Sequence, residues 1–179
     1  MSQVASTYAQ ALYGLAQEAS AEALFLNQLD VLQTAFSQEP AFISLLSAPE
    51  LPKQERCQIL DNSFRDQVHP YVLNFMKLLT EKGYMRHFGD CCKAYHDQYN
   101  AHHGILPVRV VTAVPMEPEQ TEKLSAKLCA ITGKTVELRC KVDPSLLGGV
   151  RLDYDGKQVD GTVKSRLDAV GKLLKNTQL

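Results

Sequence analysis

The sequence contains no tryptophan, no long apolar run and almost no net charge. Its 19 basic and 20 acidic side chains give a formal charge of −1, which argues against a protein that binds nucleic acid by neutralising phosphates. No stretch reaches the roughly 18 apolar residues that span a bilayer, and the first residues lack the basic-then-apolar pattern of a signal peptide. We therefore expect a cytoplasmic protein that does not itself insert into a membrane.

Cysteines are few, odd in number and scattered along the chain. They are Cys57, Cys91, Cys92, Cys129 and Cys140, and we expect reduced thiols. His87 and Cys91 form one i,i+4 pair, and Cys92 and His96 form another, but on a helix the two pairs point to separate faces. Four ligands on one straight helix cannot close a tetrahedron, so no metal site is predicted.

A complete phosphate-binding loop is also missing. Gly133-Lys134-Thr135 matches the end of the pattern G-x-x-x-x-G-K-[ST], but Leu128 stands where its first glycine should be. The triplet also follows a predicted helix and precedes a predicted strand, whereas a phosphate loop opens a helix. We interpret Gly133 as a helix C-cap. No Ser/His/Asp or Cys/His set stands out, so neither a catalytic residue nor a cofactor is predicted.

Helical periodicity runs through residues 1–103, with apolar residues recurring every three to four positions. Six helices are predicted there. Proline is placed to begin the third, fourth and fifth, at Pro40, Pro52 and Pro70, and Gly83 is placed to end the fifth. The sixth is expected from about Met85 to Asn100.

From Gly104 onward the pattern changes to short β-branched stretches. Leu106–Val114 and Thr135–Val142 are predicted strands, with a helix over Glu119–Ile131 between them. Val150–Tyr154 alternates apolar and polar residues, and the returning strand is Lys157–Asp160.

Asp155-Gly156 joins these last two strands and favours a turn with positive φ at both residues, so a β-hairpin is predicted. The residues Val163, Leu167, Val170 and Leu174 then recur at helical spacing and predict a terminal helix. The predicted fold is α+β: a six-helix bundle, residues 1–103, followed by a small α/β domain, residues 104–179, with a β-hairpin and a terminal helix.

The first and fifth helices have apolar arcs wider than one packing contact needs. In the first, Tyr8, Leu12 and Leu15 lie on one stripe, and Ala9 and Ala16 lie on a second stripe beside it. Two such helices side by side can form a groove for a third amphipathic helix. They can equally be central helices that their own bundle covers, and the pattern alone leaves both possibilities open.

The stretch 143–167 resembles a block near the C-terminus of the delta subunit of bacterial F-type ATP synthases, the counterpart of the mitochondrial oligomycin-sensitivity-conferring protein. That block reads roughly Asp-x-Ser-apolar-x-Gly-Gly, an alternating strand, a turn, and Asp-Gly-Ser/Thr-apolar-Lys/Arg-x-Arg-Leu. The matching residues are Asp143, Ser145, Leu146, Gly148, Gly149, Asp160, Gly161, Thr162, Val163, Lys164, Arg166 and Leu167. A weaker match, TYAQALYGLAQEA at 7–19, resembles the family's opening helix. Length and element order agree over essentially the whole chain.

The resemblance implies a non-catalytic stator subunit that links the catalytic hexamer to the b-subunit stalk, so that proton-driven rotation is coupled to ATP synthesis. In that family the helical domain holds N-terminal helices of alpha subunits between its first and fifth helices. The C-terminal domain meets the C-terminal end of the b subunit. One copy per complex is then expected at the cytoplasmic face of the cell membrane, as a peripheral subunit.

Carried over to this sequence, the resemblance implies a set of groove residues and a set of stalk-contact candidates. The groove would be lined by Tyr8, Ala11, Leu12, Leu15, Phe75, Leu78 and Leu79. For the stalk the candidates are the hairpin and the last helix, with Lys164, Lys172 and Lys175 opposite its apolar stripe. The alternative that the residues leave open is a small cytoplasmic nucleotide-binding protein or enzyme that uses the α/β half.

Overall fold

The computed structural model describes residues 3–48, 50–163 and 165. The chain divides into two compact units, residues 1–99 and 100–179. The sequence-based boundary falls four residues later, after residue 103, because the sixth helix continues past Tyr99 to His102.

Helices build the first unit throughout its described residues. Their bounds are α1 Gln3–Glu18, α2 Glu22–Gln38, α3 Pro40–Leu46, α4 Lys53–Phe64, α5 Pro70–Glu81 and α6 Phe88–His102. A 3-10 turn at Met85–His87 precedes α6, so the α-helix begins three residues later than expected. Proline occupies the first helical positions of α3 and α5, where its missing N–H leaves no bond unmade.

Gly83 ends α5 because it has φ +74°, a conformation that favours glycine. The N–H of Tyr84 then reaches back to the carbonyl of Leu79 at 2.7 Å, which satisfies one of the last carbonyls of the helix. The fifth helix therefore stops where the sequence predicts.

The core of the bundle is an aromatic and aliphatic cluster contributed by all six helices. Phe36 of α2 lies at its centre, with ring centroids 5.6, 6.0 and 5.1 Å from those of Phe42, Phe64 and Phe88. These rings join α2, α3, α4 and the start of α6. Burying each such ring fully stabilises the fold by about 1.5–3 kcal/mol.

The second unit contains a four-stranded sheet. Its strands are β1 Ile105–Thr112, β2 Thr135–Val142, β3 Val150–Tyr154 and β4 Lys157–Asp160, in the order β2-β1-β3-β4. β1 and β2 are parallel and are joined by α7, Pro118–Thr132, whereas β3 and β4 extend the sheet antiparallel on the other side of β1. Val108 and Val110 of β1 are fully buried, and Leu124 and Leu128 of α7 pack on their cluster.

β1 ends at Thr112, two residues before the predicted end at Val114. Both neighbouring strands stop pairing at this position, since Thr112 is opposite Val142 of β2 and Val150 of β3. Without a partner strand, Val114 is largely exposed.

The predicted hairpin is present with the predicted residues in its turn. Asp155 and Gly156 have φ values of +48° and +70°, the two positive values that this type of turn requires. Helix, sheet and hairpin confirm the α+β fold class. The predicted terminal helix lies outside the described residues, apart from Val163 and Ser165.

Candidate partner-binding surfaces

α1 and α5 lie side by side and run antiparallel. Tyr8, in the first half of α1, makes an edge contact at 6.1 Å between ring centroids with Tyr84, which follows α5. At the other end Phe25, just after the turn from α1 into α2, lies 6.4 Å from Tyr71 in the first turn of α5. The pair that sequence reasoning selected as a groove is therefore adjacent along its length.

The seven predicted groove residues divide into two groups of different exposure. Leu12, Phe75 and Leu79 are buried in the core of the bundle. Leu15 and Leu78 each keep 39% of their surface exposed, and the other two surface residues of the group are Tyr8, which is partly buried, and Ala11, which is exposed.

One residue that sequence reasoning did not assign to the groove joins this surface. Tyr71 is 42% exposed and lies two helical turns before Leu78, so the two side chains occupy the same side of α5. The spacing i,i+7 between them was the available signal. We call the surface formed by Tyr8, Ala11, Leu15, Tyr71 and Leu78 the α1–α5 strip.

The α1–α5 strip carries no charge of its own. α1 has no charged residue before Glu18. On α5, Lys77 points away from the strip toward α4, where its Nζ lies 2.5 Å from the Asp61 carboxylate. An uncharged, partly exposed strip of aromatic and aliphatic side chains is suited to an apolar partner surface.

His69 positions the start of α5, and with it Tyr71. Its Nδ1 accepts a hydrogen bond from the Tyr71 N–H at 3.3 Å and so caps the helix. Its own N–H donates to Oε1 of Gln28 at 2.9 Å, which ties α5 to α2. The imidazole ring also lies 4.8 Å from the ring of Phe25. Two hydrogen bonds and a ring contact thus hold this end of the strip.

In the second unit, the residues of the C-terminal motif hold two chain segments together. Gly149 has φ +84°, and a Cβ built on it would lie 2.5 Å from the carbonyl oxygen of Gly161. The Gly161 N–H donates to Val150 O at 3.0 Å, and the Val163 N–H donates to Gly148 O at 3.1 Å. The motif therefore explains a close backbone crossing rather than a catalytic arrangement.

The two aspartates of the motif act as turn braces. Asp143 Oδ1 accepts from the Ser145 N–H at 3.0 Å, and Asp160 Oδ1 accepts from the Thr162 N–H at 2.9 Å. These hydrogen bonds lower the pKa of both carboxyl groups below the ordinary value, because they favour the charged form. Arg166, the remaining predicted motif residue, lies outside the described residues.

The histidines and cysteines of α6 serve packing in the structure. His96 Nε2 lies 2.6 Å from Asp30 Oδ1, and Cys92 Sγ contacts Leu29 O at 3.9 Å, so both side chains bind α6 to α2. Burial raises the pKa of the Cys91 thiol to about 11. Across residues 3–48, 50–163 and 165, no group of three His, Cys, Asp or Glu side chains could hold a metal ion.

Gly133 ends α7 in a left-handed conformation, φ +68°, and its N–H donates to Cys129 O at 2.9 Å. Lys134 and Thr135 then lead into β2, so no helix N-terminus is presented to a phosphate. This geometry matches the C-cap interpretation. In the described part of the chain, the helices are all too short or too polar to cross a bilayer.

Comparison with known proteins decides the family. The family model described as ATP synthase delta (OSCP) subunit matches residues 4–174. The ATP synthase subunit delta of Alkaliphilus oremlandii is 34% identical over 164 residues, which cover 92% of this chain and 91% of that protein. The chain belongs to the ATP synthase delta (OSCP) subunit family. It is a non-catalytic, structural subunit of the peripheral stalk of the F-type ATP synthase, and the nucleotide-binding alternative has no support.

Other relatives and solved structures agree with this membership. The ATP synthase subunit delta of Clostridioides difficile is 28% identical over 172 residues, 96% of this chain and 95% of that protein. A chain of the Toxoplasma gondii mitochondrial ATP synthase hexamer superposes with a TM-score of 0.75 at 18% identity, covering 97% of this chain and 98% of its own length. A chain of the Polytomella F-ATP synthase reaches 0.53 at 17% identity, covering 57% and 90%. At these identities the structural matches establish the fold.

Proposed function

We propose that this delta subunit holds the N-terminal helices of alpha subunits on its α1–α5 strip and contacts the C-terminal end of the b subunit with its second unit. One copy per complex would then join the catalytic hexamer to the stalk at the cytoplasmic face of the cell membrane. The observation that carries the alpha-subunit part is the uncharged strip between two adjacent helices, because an amphipathic helix can bury its apolar face there.

The mechanism is mechanical. Rotation of the central stalk exerts torque on the hexamer, and synthesis requires that the hexamer be held still. The attachment must therefore dissociate slowly compared with turnover, and a nanomolar dissociation constant corresponds to roughly 12 kcal/mol. Leu15 and Leu78 keep 39% of their surfaces available, so completing their burial contributes roughly 1 kcal/mol each. A helix that also covers the two tyrosines and extends beyond the strip can supply the remainder.

For the b subunit, the proposed contact is the hairpin β3–β4 together with the last helix. Lys157 at the turn is exposed. Lys164, Lys172 and Lys175, the basic candidates of the last helix, lie outside the described residues. This part of the proposal rests on family membership rather than on a described surface.

The test is a charge placed on the strip. Leu78→Asp and Ala11→Asp should each weaken binding of a synthetic alpha-subunit N-terminal peptide at least about 100-fold, because a desolvated carboxylate costs several kcal/mol at an apolar contact. Calorimetric titration of the purified chain measures the affinity. Circular dichroism verifies that the bundle stays folded.

The matched control is Leu45→Asp. Leu45 lies on α3 of the same unit with 41% of its surface exposed, so it tolerates a charge about as well as Leu78 but lies outside the strip. Wild-type affinity in folded Leu78→Asp, or an equal loss in Leu45→Asp, would contradict the proposed site. A parallel titration with ATP should give no heat of binding.

A further inference from the structure

The face of the sheet that packs on α7 is covered on one side only. α7 lies against β2, whereas Val150, Leu152 and Tyr154 of β3 are only half-buried. Val159 of β4, opposite Leu152 on the same face, is 50% exposed. We call this surface of β3 and β4, formed by these four residues, the open half-face.

The dimensions of the sheet leave room for a second helix. Four strands spaced about 4.8 Å apart make a sheet about 19 Å wide, and one helix with its side chains covers about 10–12 Å. α7 therefore leaves close to half of the face uncovered. A sheet face lined by valine, leucine and tyrosine is stabilised when it is buried.

Apolar surface continues around one end of the open half-face. A pocket of about 470 Å³ lies there, with a lining that includes Val114, Leu124, Leu147 and Val150. Leu147 holds a left-handed conformation, φ +61°, which costs a leucine roughly 1–2 kcal/mol, and yet its side chain is 72% exposed. A strained, exposed leucine beside a pocket indicates a surface that a further chain segment covers.

The described chain stops beside this pocket. Val163 Cγ2 lies 3.4 Å from where a Cβ on Gly148 would be, and the Val163 N–H donates to Gly148 O. Thr162 Oγ1 accepts from the Ser165 N–H at 3.2 Å, the hydrogen bond of a helix N-cap. The chain therefore starts a helical turn next to the open half-face.

Fourteen residues, 166–179, follow Ser165 and lie outside the described residues. Their sequence places leucine or valine at 167, 170 and 174, the same stripe that begins at Val163. At about 1.5 Å per residue, a helix from 163 to 174 is about 17 Å long, the length of a five-residue strand at about 3.4 Å per residue. Length, starting point and apolar spacing all match the open half-face.

We propose that residues 166–179 of this chain dock on the open half-face and the adjoining pocket, as the second helical cover of the sheet. The proposal does not depend on which subunits bind the protein. The occupant is the chain's own C-terminal segment because the chain already leads to the pocket and needs no additional linker.

The full-length chain tests this with a pair of variants on one strand. Val159→Lys places a charge on the open half-face, and Gln158→Lys places the same charge on the opposite face of β4. Because Val159 is 50% exposed in the described structure, an uncovered face would tolerate both lysines equally. If the segment docks there, Val159→Lys should speed amide hydrogen exchange in β3 about tenfold while Gln158→Lys leaves it unchanged. Equal exchange in the two variants would overturn the proposal.

A chain that ends after Ser165 gives an independent measurement. Truncation should shift the methyl NMR signals of Val150, Leu152 and Val159, and adding a peptide of residues 166–179 should restore them. The signals of Leu29, in the core of the first unit, report whether the protein remains folded. Unchanged methyl signals after truncation, or signals that respond only to a b-subunit peptide, would refute docking by the chain's own segment.

Discussion

Replacing Gly149 by alanine should destabilise the second unit strongly. At φ +84° an alanine side chain is strained, which costs roughly 1–2 kcal/mol. The new Cβ would also lie 2.5 Å from Gly161 O and 2.8 Å from Thr162 Cα, both backbone atoms that cannot rotate away. Forcing the two segments apart adds about 1–3 kcal/mol, so we expect a total loss of roughly 2–5 kcal/mol.

Gly156→Ala is the matched control for this substitution. Gly156 has φ +70° in the hairpin turn, but no heavy atom lies within 4 Å of a Cβ built on it. It should therefore lose only the conformational part, roughly 1–2 kcal/mol. Urea unfolding followed by NMR signals of the second unit measures both values. If Gly149→Ala is no more destabilising than Gly156→Ala, the close crossing of the two motif segments does not limit stability.

Three further predictions concern charge and thiol chemistry. Arg56→Ala should lower the stability of the first unit by about 1–3 kcal/mol in thermal unfolding, since the buried Arg56 Nη1 donates to Leu46 O at 2.9 Å; an unchanged melting temperature would contradict this. The lowered pKa of Asp160 means that the unfolded state takes up protons first, so stability is full above about pH 5 and falls with acidification through the folded pKa; Asp160→Asn should flatten that decline in acid titrations followed by circular dichroism, and an unaltered slope would count against the turn brace. A thiol reagent at pH 8 should modify exposed Cys140 before buried Cys91, whose pKa is raised to about 11; mass spectrometry of partly modified chains gives the order, and prior reaction at Cys91 would indicate that α6 opens.

Much of the fold was predictable because its boundaries are set by local chemistry. Proline at the start of α3 and α5 and glycine at the end of α5 and α7 fix element ends by backbone geometry alone. The hairpin turn Asp155-Gly156 likewise has few alternatives. The strand bounds Thr135–Val142 and the hairpin strands were all predicted as they occur.

The lining of the α1–α5 strip was predicted less completely, because periodicity gives a helix its faces but not its rotation. α1 carries two apolar stripes, and the bundle buries the alanine stripe, including Ala5, Ala9 and Ala16, together with Leu12. Small side chains let neighbouring helices approach closely, which turns Leu15 toward the surface. Tyr71 was assigned to a wide apolar arc, and only its packing beside Phe25 shows that it reaches the surface.

The open half-face depends on tertiary arrangement in a similar way. The alternation of β3 predicts one apolar face, but which strands α7 covers follows from the order β2-β1-β3-β4. That order cannot be deduced from local spacing, since it results from the parallel crossover of β1 to β2 and the return of the chain to the far side of β1.

The central claim is that uncharged surface between α1 and α5 holds a helix of the catalytic sector. Titrating an isotope-labelled chain with a synthetic alpha-subunit N-terminal peptide, while recording methyl NMR spectra, tests it most directly. The account predicts that the methyl signals of Ala11, Leu15 and Leu78 shift with the peptide, while those of Leu45 on α3 and Ile131 on α7 stay in place. Binding that shifts other faces of the bundle and leaves these three residues unchanged would contradict it.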